Sequence, residues 1–171
     1  MDILKIIKER RSCRKYKDLM PTEEEINKVI EAGLYAASGK NLQGGIIISI
    51  TNKEIRDKLS IINAKVMDKD VDPFYGAPVV LLVCVKKSKN GIYDGSCMIE
   101  NMMLEASSIG LGSCWIHRAK EELEMDETKK LLKELNLDFN EYEGIGHVIL
   151  GYPDEVPSYK QIKDDRVYYI K

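Results

Sequence analysis

Apolar positions open the chain at helical spacing. Ile3, Leu4, Ile6 and Ile7 follow Asp2, a residue suited to cap a helix N-terminus. Met20-Pro21 interrupts the pattern. Thr22 with Glu25 then reads as a capping box, ahead of a stripe made by Ile26, Val29, Ile30 and Leu34. Ala36 to Gly45 is a loop, and Ile46 to Thr51 a buried strand. Asn52 caps a helix carrying Ile55, Leu59, Ile62 and Val66. A polar connection, Asp68 to Asp72, precedes Pro78 and the most apolar run of the chain, Val79 to Val85, expected as a central strand. Ser88 to Gly91 reads as a turn.

Asp94 to Ile109 is a long helix whose apolar and small residues go most of the way round, so it belongs in a core or at a subunit interface. Gly110 ends it. Gly112 to His117 is a short strand containing the single tryptophan, Trp115. Glu121 to Leu135 forms an amphipathic helix with a break expected near Asp126. Gly144 to Tyr152 is the last core strand, stopped by Pro153. The tail, Pro157 to Lys171, is basic and finishes in a strand-like Val167-Tyr-Tyr-Ile. Helices and strands alternate, with at least four strands and no repeat or low-complexity segment.

The 171 residues fit a single domain, 1–171, with a real core. Hydrophobic residues at 44% and charged residues at 32% are ordinary for a globular chain. A net charge of −2 argues against a general nucleic-acid binder, which should be basic. The apolar runs are too short to span a membrane. The first residues mix charges with Ile and Leu, which is no signal-peptide core, so the cytoplasm is the expected compartment. Four cysteines, at 13, 84, 97 and 114, and two histidines, His117 and His147, show no zinc or iron–sulfur spacing. Cys84 and Cys97 are expected as buried small hydrophobes. Cys13 is expected to pack, although neighbouring arginines favour a thiolate.

Against a slightly acidic background, Arg10-Arg11-Ser12-Cys13-Arg14 stands out. Guanidinium forks match phosphate oxygens two at a time, and Ser12 adds a neutral hydrogen bond. Three other readings remain open: a solvated basic face, cations placed to complement a helix C-terminus, or an interrupted localisation signal. The loop Ala36 to Gly45 is either a plain helix-to-strand connection or a backbone that approaches a planar ligand closely, with Asn41 and Gln43 as polar handles. Gly144-x-Gly146 lacks the third glycine of a dinucleotide fingerprint and starts a strand. No phosphate loop and no Gly-x-Ser-x-Gly elbow exists. Glu23 to Glu25 suit a helix's first turn, and both histidines read as structural. The inventory is therefore one of binding groups, with no evident catalytic dyad; a cofactor would bring the reactivity.

In order and spacing, five pieces resemble the nitroreductase family of flavin enzymes. They are Arg10 to Tyr16, Ala37 to Gln43, Gly76-Ala77-Pro78, Gly110 to Ile116, and Gly146 to Pro153; the ending Asp165 to Ile170 is similar to short members as well. The resemblance implies an α+β, three-layer fold, with a central mixed sheet of four to five strands flanked by helices, in an intertwined homodimer. It implies FMN at the dimer interface. Arg10, Ser12 and Arg14 would hold the phosphate and ribityl end, with Arg11 close by; Ser38, Gly39, Asn41 and Gln43 would reach the flavin from the partner subunit. Trp115, Ile116 and His117 would lie along the ring system. Lys160 and Lys163 would be the tail cations at the phosphate. The implied activity takes electrons from NAD(P)H and delivers them to nitro, quinone or related acceptors in ping-pong fashion; the alternative is a flavin-binding module without turnover, a carrier or redox sensor. A phosphate of roughly two negative charges suits three or four cations in reach. No metal, nucleic acid or membrane is implied. Two departures stand out: Gln43 is followed by Gly44-Gly45 where the family often has Pro-Trp, and Ile162 replaces the usual tail arginine. The long insertion that covers the flavin in larger members is missing.

Overall fold

The computed structural model describes residues 2–156, 158 and 160–171. The side chain of Asp2 accepts from the Leu4 N–H and starts α1, Ile3–Glu9. The Thr22–Glu25 capping box starts α2, Glu23–Leu34, and Asn52 caps α3, Lys53–Val66. In each case a side-chain oxygen satisfies an N–H that the helix itself cannot. The long helix α4 spans Gly91–Ser108, so it begins three residues before the Asp94 expected from its pattern, out of the Ser88 turn. Gly110, at φ +85°, then reverses the chain. The expected amphipathic helix is divided into α5, Ala119–Glu124, and α6, Asp126–Leu131, because Met125 takes an extended conformation.

Four strands, β1 (Gly45–Ile50), β2 (Val79–Lys86), β3 (Gly112–Ile116) and β4 (Tyr142–Gly151), form one sheet in the order β1-β2-β4-β3. All three pairings are antiparallel. The mixed sheet expected from the family resemblance is thus corrected: the parallel character is confined to an isolated bridge, Ser12 to Ser113. The unbroken apolar run of β2 reports burial on both faces and carries no information on strand direction. On one face α2 and α4 cover Leu81, Val83 and Val148. On the other α3 and α5 cover Val80, Leu82 and Ile149. The layers are therefore helix, sheet, helix. A register slip at Val83/Cys84 lets Ile145 join Val148 and Leu150 on the same face.

Two further expectations are corrected. Cys97 is exposed on α4, while Cys84 is buried and its thiol pushed up to about 12 by desolvation. The end Val167–Ile170 is exposed and takes no strand conformation, since a strand needs a partner ladder and none of β1–β4 provides one. The expected tail begins at Pro157, which with Tyr159 lies outside the described residues.

Candidate functional site

The arginine segment is bound to the free edge of the sheet. Ser12 bridges Ser113 of β3, and the Cys13 N–H donates to Ser113 O at 2.9 Å. Further on, Lys17 N donates to Tyr152 O and Asp154 N to Lys15 O, each at 2.9 Å. The Tyr16 hydroxyl closes the turn on Cys13 O at 2.7 Å. Cys13 is sealed beneath this segment. A Cβ on Gly112 would stand 2.8 Å from its Sγ, so the glycine of Gly110-Leu-Gly112 is there to admit the thiol. Burial pushes the Cys13 thiol up, outweighing its hydrogen bond to Lys15 O, so Cys13 is a packing thiol and no nucleophile.

The three arginines do different things. Arg11 serves the backbone: its Nη1 donates to Lys8 O at 2.7 Å and Arg10 O at 2.6 Å, and its Nε to Ser158 O at 3.2 Å. That satisfies carbonyls at the C-terminus of α1, where a cation is favoured anyway. Arg10 is largely buried beside α4, its Nε 3.9 Å from Glu100 Oε1. Its Nη1 is buried with no hydrogen-bond partner among the described residues. A buried guanidinium N–H without an acceptor is costly, and an anionic ligand atom would satisfy it. Arg14 is exposed, with its guanidinium carbon 5.9 Å from the centre of the Tyr75 ring.

Arg14 shares a cavity of about 420 Å³ with the residues where β3 leaves the sheet, Trp115, Ile116, His117 and Arg118, and with Tyr75 and Lys69 from the other side. The Trp115 indole lies over Gly146 of β4 and leaves no room there for a Cβ. The paired glycines of β4, which resembled an incomplete fingerprint, are spacers for Trp115 and for the α5 backbone at Ala119. Arg118 has left-handed backbone at φ +78°. Its Nε donates to Asn63 Oδ1 at 3.1 Å. The same Asn63 amide donates to His117 O at 2.9 Å and to Glu122, so a buried residue of α3 fixes the turn through both neighbours. Glu122 in turn faces His147 Nε2 from 3.1 Å. His147 is structural, as expected, whereas His117 is exposed in the cavity.

The loop is anchored elsewhere in the subunit. Gly39 N donates to Asp94 Oδ1 at 3.0 Å, Gln43 N to Ser38 Oγ at 3.1 Å, and Gln43 Nε2 to Asn41 Oδ1 at 3.0 Å. Asp94 precedes Glu100 by about 9 Å of helical rise, so this loop and Arg10 meet different parts of α4. Lys40, Asn41 and Gln43 all have positive φ, a strained arrangement typical of functional loops. Gly45 is required because Met98 Sδ occupies the place of a Cβ; Gly44 has ordinary room. Lys160 and Lys163 lie exposed in the tail. Sequence reasoning did not single out Tyr75, Lys69, Asn63 or Arg118. Only the position of Arg118 directly after Trp115 to His117 hinted at a role; the others come from segments without a local signal.

Arg14 and the exposed Trp115 therefore share one cavity at the end of β3, on the edge of a helix–sheet–helix α+β fold. The comparisons identify it further. The Nitroreductase family model matches residues 7–152, and this chain belongs to that family. A protein with the provisional name NADH dehydrogenase/NAD(P)H nitroreductase, from Methanothermobacter thermautotrophicus, is 31% identical over 100% of this chain and 88% of that protein. The NADPH-flavin oxidoreductase of Vibrio harveyi is 26% identical over 88% of this chain and 65% of that protein. Among solved structures, a nitroreductase with bound FMN from Bacteroides fragilis superposes with a TM-score of 0.91, at 28% identity and 100% coverage of both chains.

Proposed function

We propose that this protein is an FMN-dependent oxidoreductase that draws electrons from NADH or NADPH and delivers them to nitro, quinone or similarly electron-poor molecules, with the flavin seated between two copies of the subunit. One observation carries the reading: a single cavity is lined both by Arg14 of the arginine segment and by the Trp115–Arg118 turn, brought together by the Ser12–Ser113 bridge from segments about a hundred residues apart. The residues fit the cofactor. Arg10 supplies a buried Nη1 donor with no acceptor among the described residues, Arg14 a second guanidinium, and Ser12 a hydroxyl for the phosphate and ribityl end. Trp115 to His117 supply a wall and backbone donors for the ring. Ser38, Gly39, Asn41 and Gln43 of the partner subunit complete the seat, and Lys160 and Lys163 add charge at the phosphate.

A dimer is supported by what the subunit leaves uncovered. Helix α1 buries no residue, and Ile3 is 71% exposed on it. Ile92 and Tyr93 on α4 and the aromatic tail residues Tyr168 and Tyr169 are exposed too. Apolar surface on this scale marks an association site.

FMN held in this seat would supply two-electron redox chemistry between a nicotinamide and the acceptor. The chain's part is to hold and orient. Arg10 and Arg14 would hold and neutralise its phosphate, and the Asn63-braced turn would offer its backbone N–H groups to the flavin. Protons come from solvent through the open cavity, so no dedicated acid is needed. The test is a visible spectrum. Purified protein should carry or take up FMN and bleach anaerobically with NADH or NADPH. A protein that cannot be loaded refutes the reading, and a yellow protein that nicotinamides do not bleach is a flavin-binding module instead.

A further inference from the structure

The lining of the cavity beside the Trp115–Arg118 turn holds more cations than carboxylates, and Glu155, which is not part of the lining, accepts from the Arg14 backbone N–H at 2.5 Å. Arg14, Lys69 and Arg118 line the cavity, and Asp72 is the one carboxylate among its lining residues. Asp72 has no capacity to spare. Its two oxygens accept from Arg56 Nη2 at 2.7 Å, Ser60 Oγ at 2.6 Å, Phe74 N at 2.9 Å and Gly76 N at 2.7 Å. Arg14 rests on Tyr75, a neutral ring. Arg118 spends Nε on Asn63, and its two Nη groups have no hydrogen bond or ion pair among the described residues.

The placement of Arg118 is a built feature. A non-glycine side chain in left-handed backbone is unfavourable by about 1 kcal/mol or more. Glycine would relieve the strain at no cost in space, yet the position holds an arginine, and that arginine is braced. The brace runs inward: Asn63, fully buried, is fixed by Glu122, which faces His147. Neither residue touches the cavity, and both serve to hold the guanidinium and the His117 carbonyl in one orientation. A guanidinium held through Nε presents the paired N–H fork that matches a carboxylate or phosphate.

We infer that Arg118 is a specificity-determining residue: with Lys69 beside it, it selects, for the cavity, small molecules that carry a carboxylate or phosphate. This rests on the reading of the cavity as the seat of FMN, with electron donor and acceptor entering beside the flavin through its open side. The shared chemistry has two sources, an anionic group on the acceptor or the 2′-phosphate that distinguishes NADPH from NADH. Asn63 is a positioning residue for the same fork.

The test is equilibrium binding to the purified protein, saturated with FMN, reduced beforehand and kept anaerobic so that no nicotinamide can react, by titration calorimetry with two matched pairs: benzoate against benzyl alcohol, and NADPH against NADH. An anion matched to the fork should bind about tenfold or more tightly than its uncharged counterpart, the usual advantage of a charge-assisted bidentate pair. In Arg118→Gln that ratio should fall to near one, Arg118→Lys should restore part of it, and Asn63→Ala should lower it without removing it. Loss of the benzoate preference assigns the anion to the acceptor, and loss of the NADPH preference assigns it to the donor. Ratios that do not respond to Arg118→Gln in either pair overturn the inference. So does a loss of FMN affinity in that variant as large as in Arg14→Ala, because Arg118 would then belong to the cofactor's own grip. Binding is read without turnover, so a protein that discriminates benzoate yet is never bleached by nicotinamides contradicts the oxidoreductase reading alone.

Discussion

His147 Nε2 of β4 stands 3.1 Å from Glu122 Oε2 of α5, and both side chains are sealed from solvent. The pair lies within ion-pair range without hydrogen-bond alignment, and Phe74 flanks the imidazole with ring centres 5.1 Å apart. The other Glu122 oxygen takes the Asn63 amide. Four elements, α3, α5, β4 and the turn before α5, are thereby joined beneath the cavity.

Glu122→Leu removes the acceptor of a buried amide and the acid that faces His147. Stability should fall by about 2–4 kcal/mol, the range for stranding buried polar partners. Glu122→Gln still accepts from Asn63 and should lose about half as much. Urea unfolding midpoints measure both. Equal losses would show that the charge facing His147 carries the effect and that acceptance from Asn63 adds nothing.

Asp72 carries a pH dependence. Burial works to raise its carboxyl, but Arg56, Ser60, Gly76 and Phe74 outweigh burial and hold it below the usual aspartate range. A group lowered on folding stabilises the native state at neutral pH. That stabilisation begins to fade as pH drops through the unfolded value of about 3.9 and is gone once the lower folded value is passed. Asp72→Asn should cost about 1–3 kcal/mol at pH 7, because Arg56 is buried while the carboxylate is only partly so. The deficit should shrink toward zero in acid. Unfolding curves at pH 7 and pH 3 report this, and a constant deficit would disprove it.

Gly146→Ala places a methyl group where the Trp115 indole lies. The indole must swing away, because the other neighbour is the Ile116 carbonyl of the backbone. Trp115 is the only tryptophan, so its emission reports the change directly. The expected result is a red-shifted spectrum with a stability loss of about 1–3 kcal/mol. An unchanged spectrum would mean that the strand yields and the indole stays.

Lys40→Gly relieves left-handed strain at φ +54° in the loop that is proposed to reach the partner's flavin. Subunit stability should rise by about 0.5–1 kcal/mol. FMN affinity should fall if the strain holds the loop in its binding shape, and unchanged affinity would show that it does not.

What the sequence revealed follows from where each signal resides. Asp2, Thr22 with Glu25, and Asn52 announce their helices because capping is a local hydrogen bond. Val79 to Val85 announces a strand buried on both faces, yet its direction depends on neighbours that sequence pattern does not encode. The Arg10–Arg14 segment stood out as a candidate anion site because three guanidiniums are rare so close together, but the division of labour was not legible: Arg11 turns to a carbonyl only three residues behind it. Asn63, Glu122 and His147 were invisible as partners. Each is unremarkable locally, and their meeting is made by the packing of α3 and α5 against β4 and the turn after β3. Cys97 and the tail were misread for one reason: apolar character was taken as burial or strand within one subunit, where the subunit leaves both exposed.

The most direct measurement is FMN affinity, by quenching of flavin fluorescence, in wild type, Arg14→Ala and Arg10→Ala. If these guanidiniums grip the phosphate and ribityl end, each substitution should weaken binding by about 1.5–3 kcal/mol while the unfolding midpoint of the apoprotein stays within about 0.5 kcal/mol of wild type for the exposed Arg14. Wild-type affinity in both variants would contradict the assignment of the arginine segment to the cofactor.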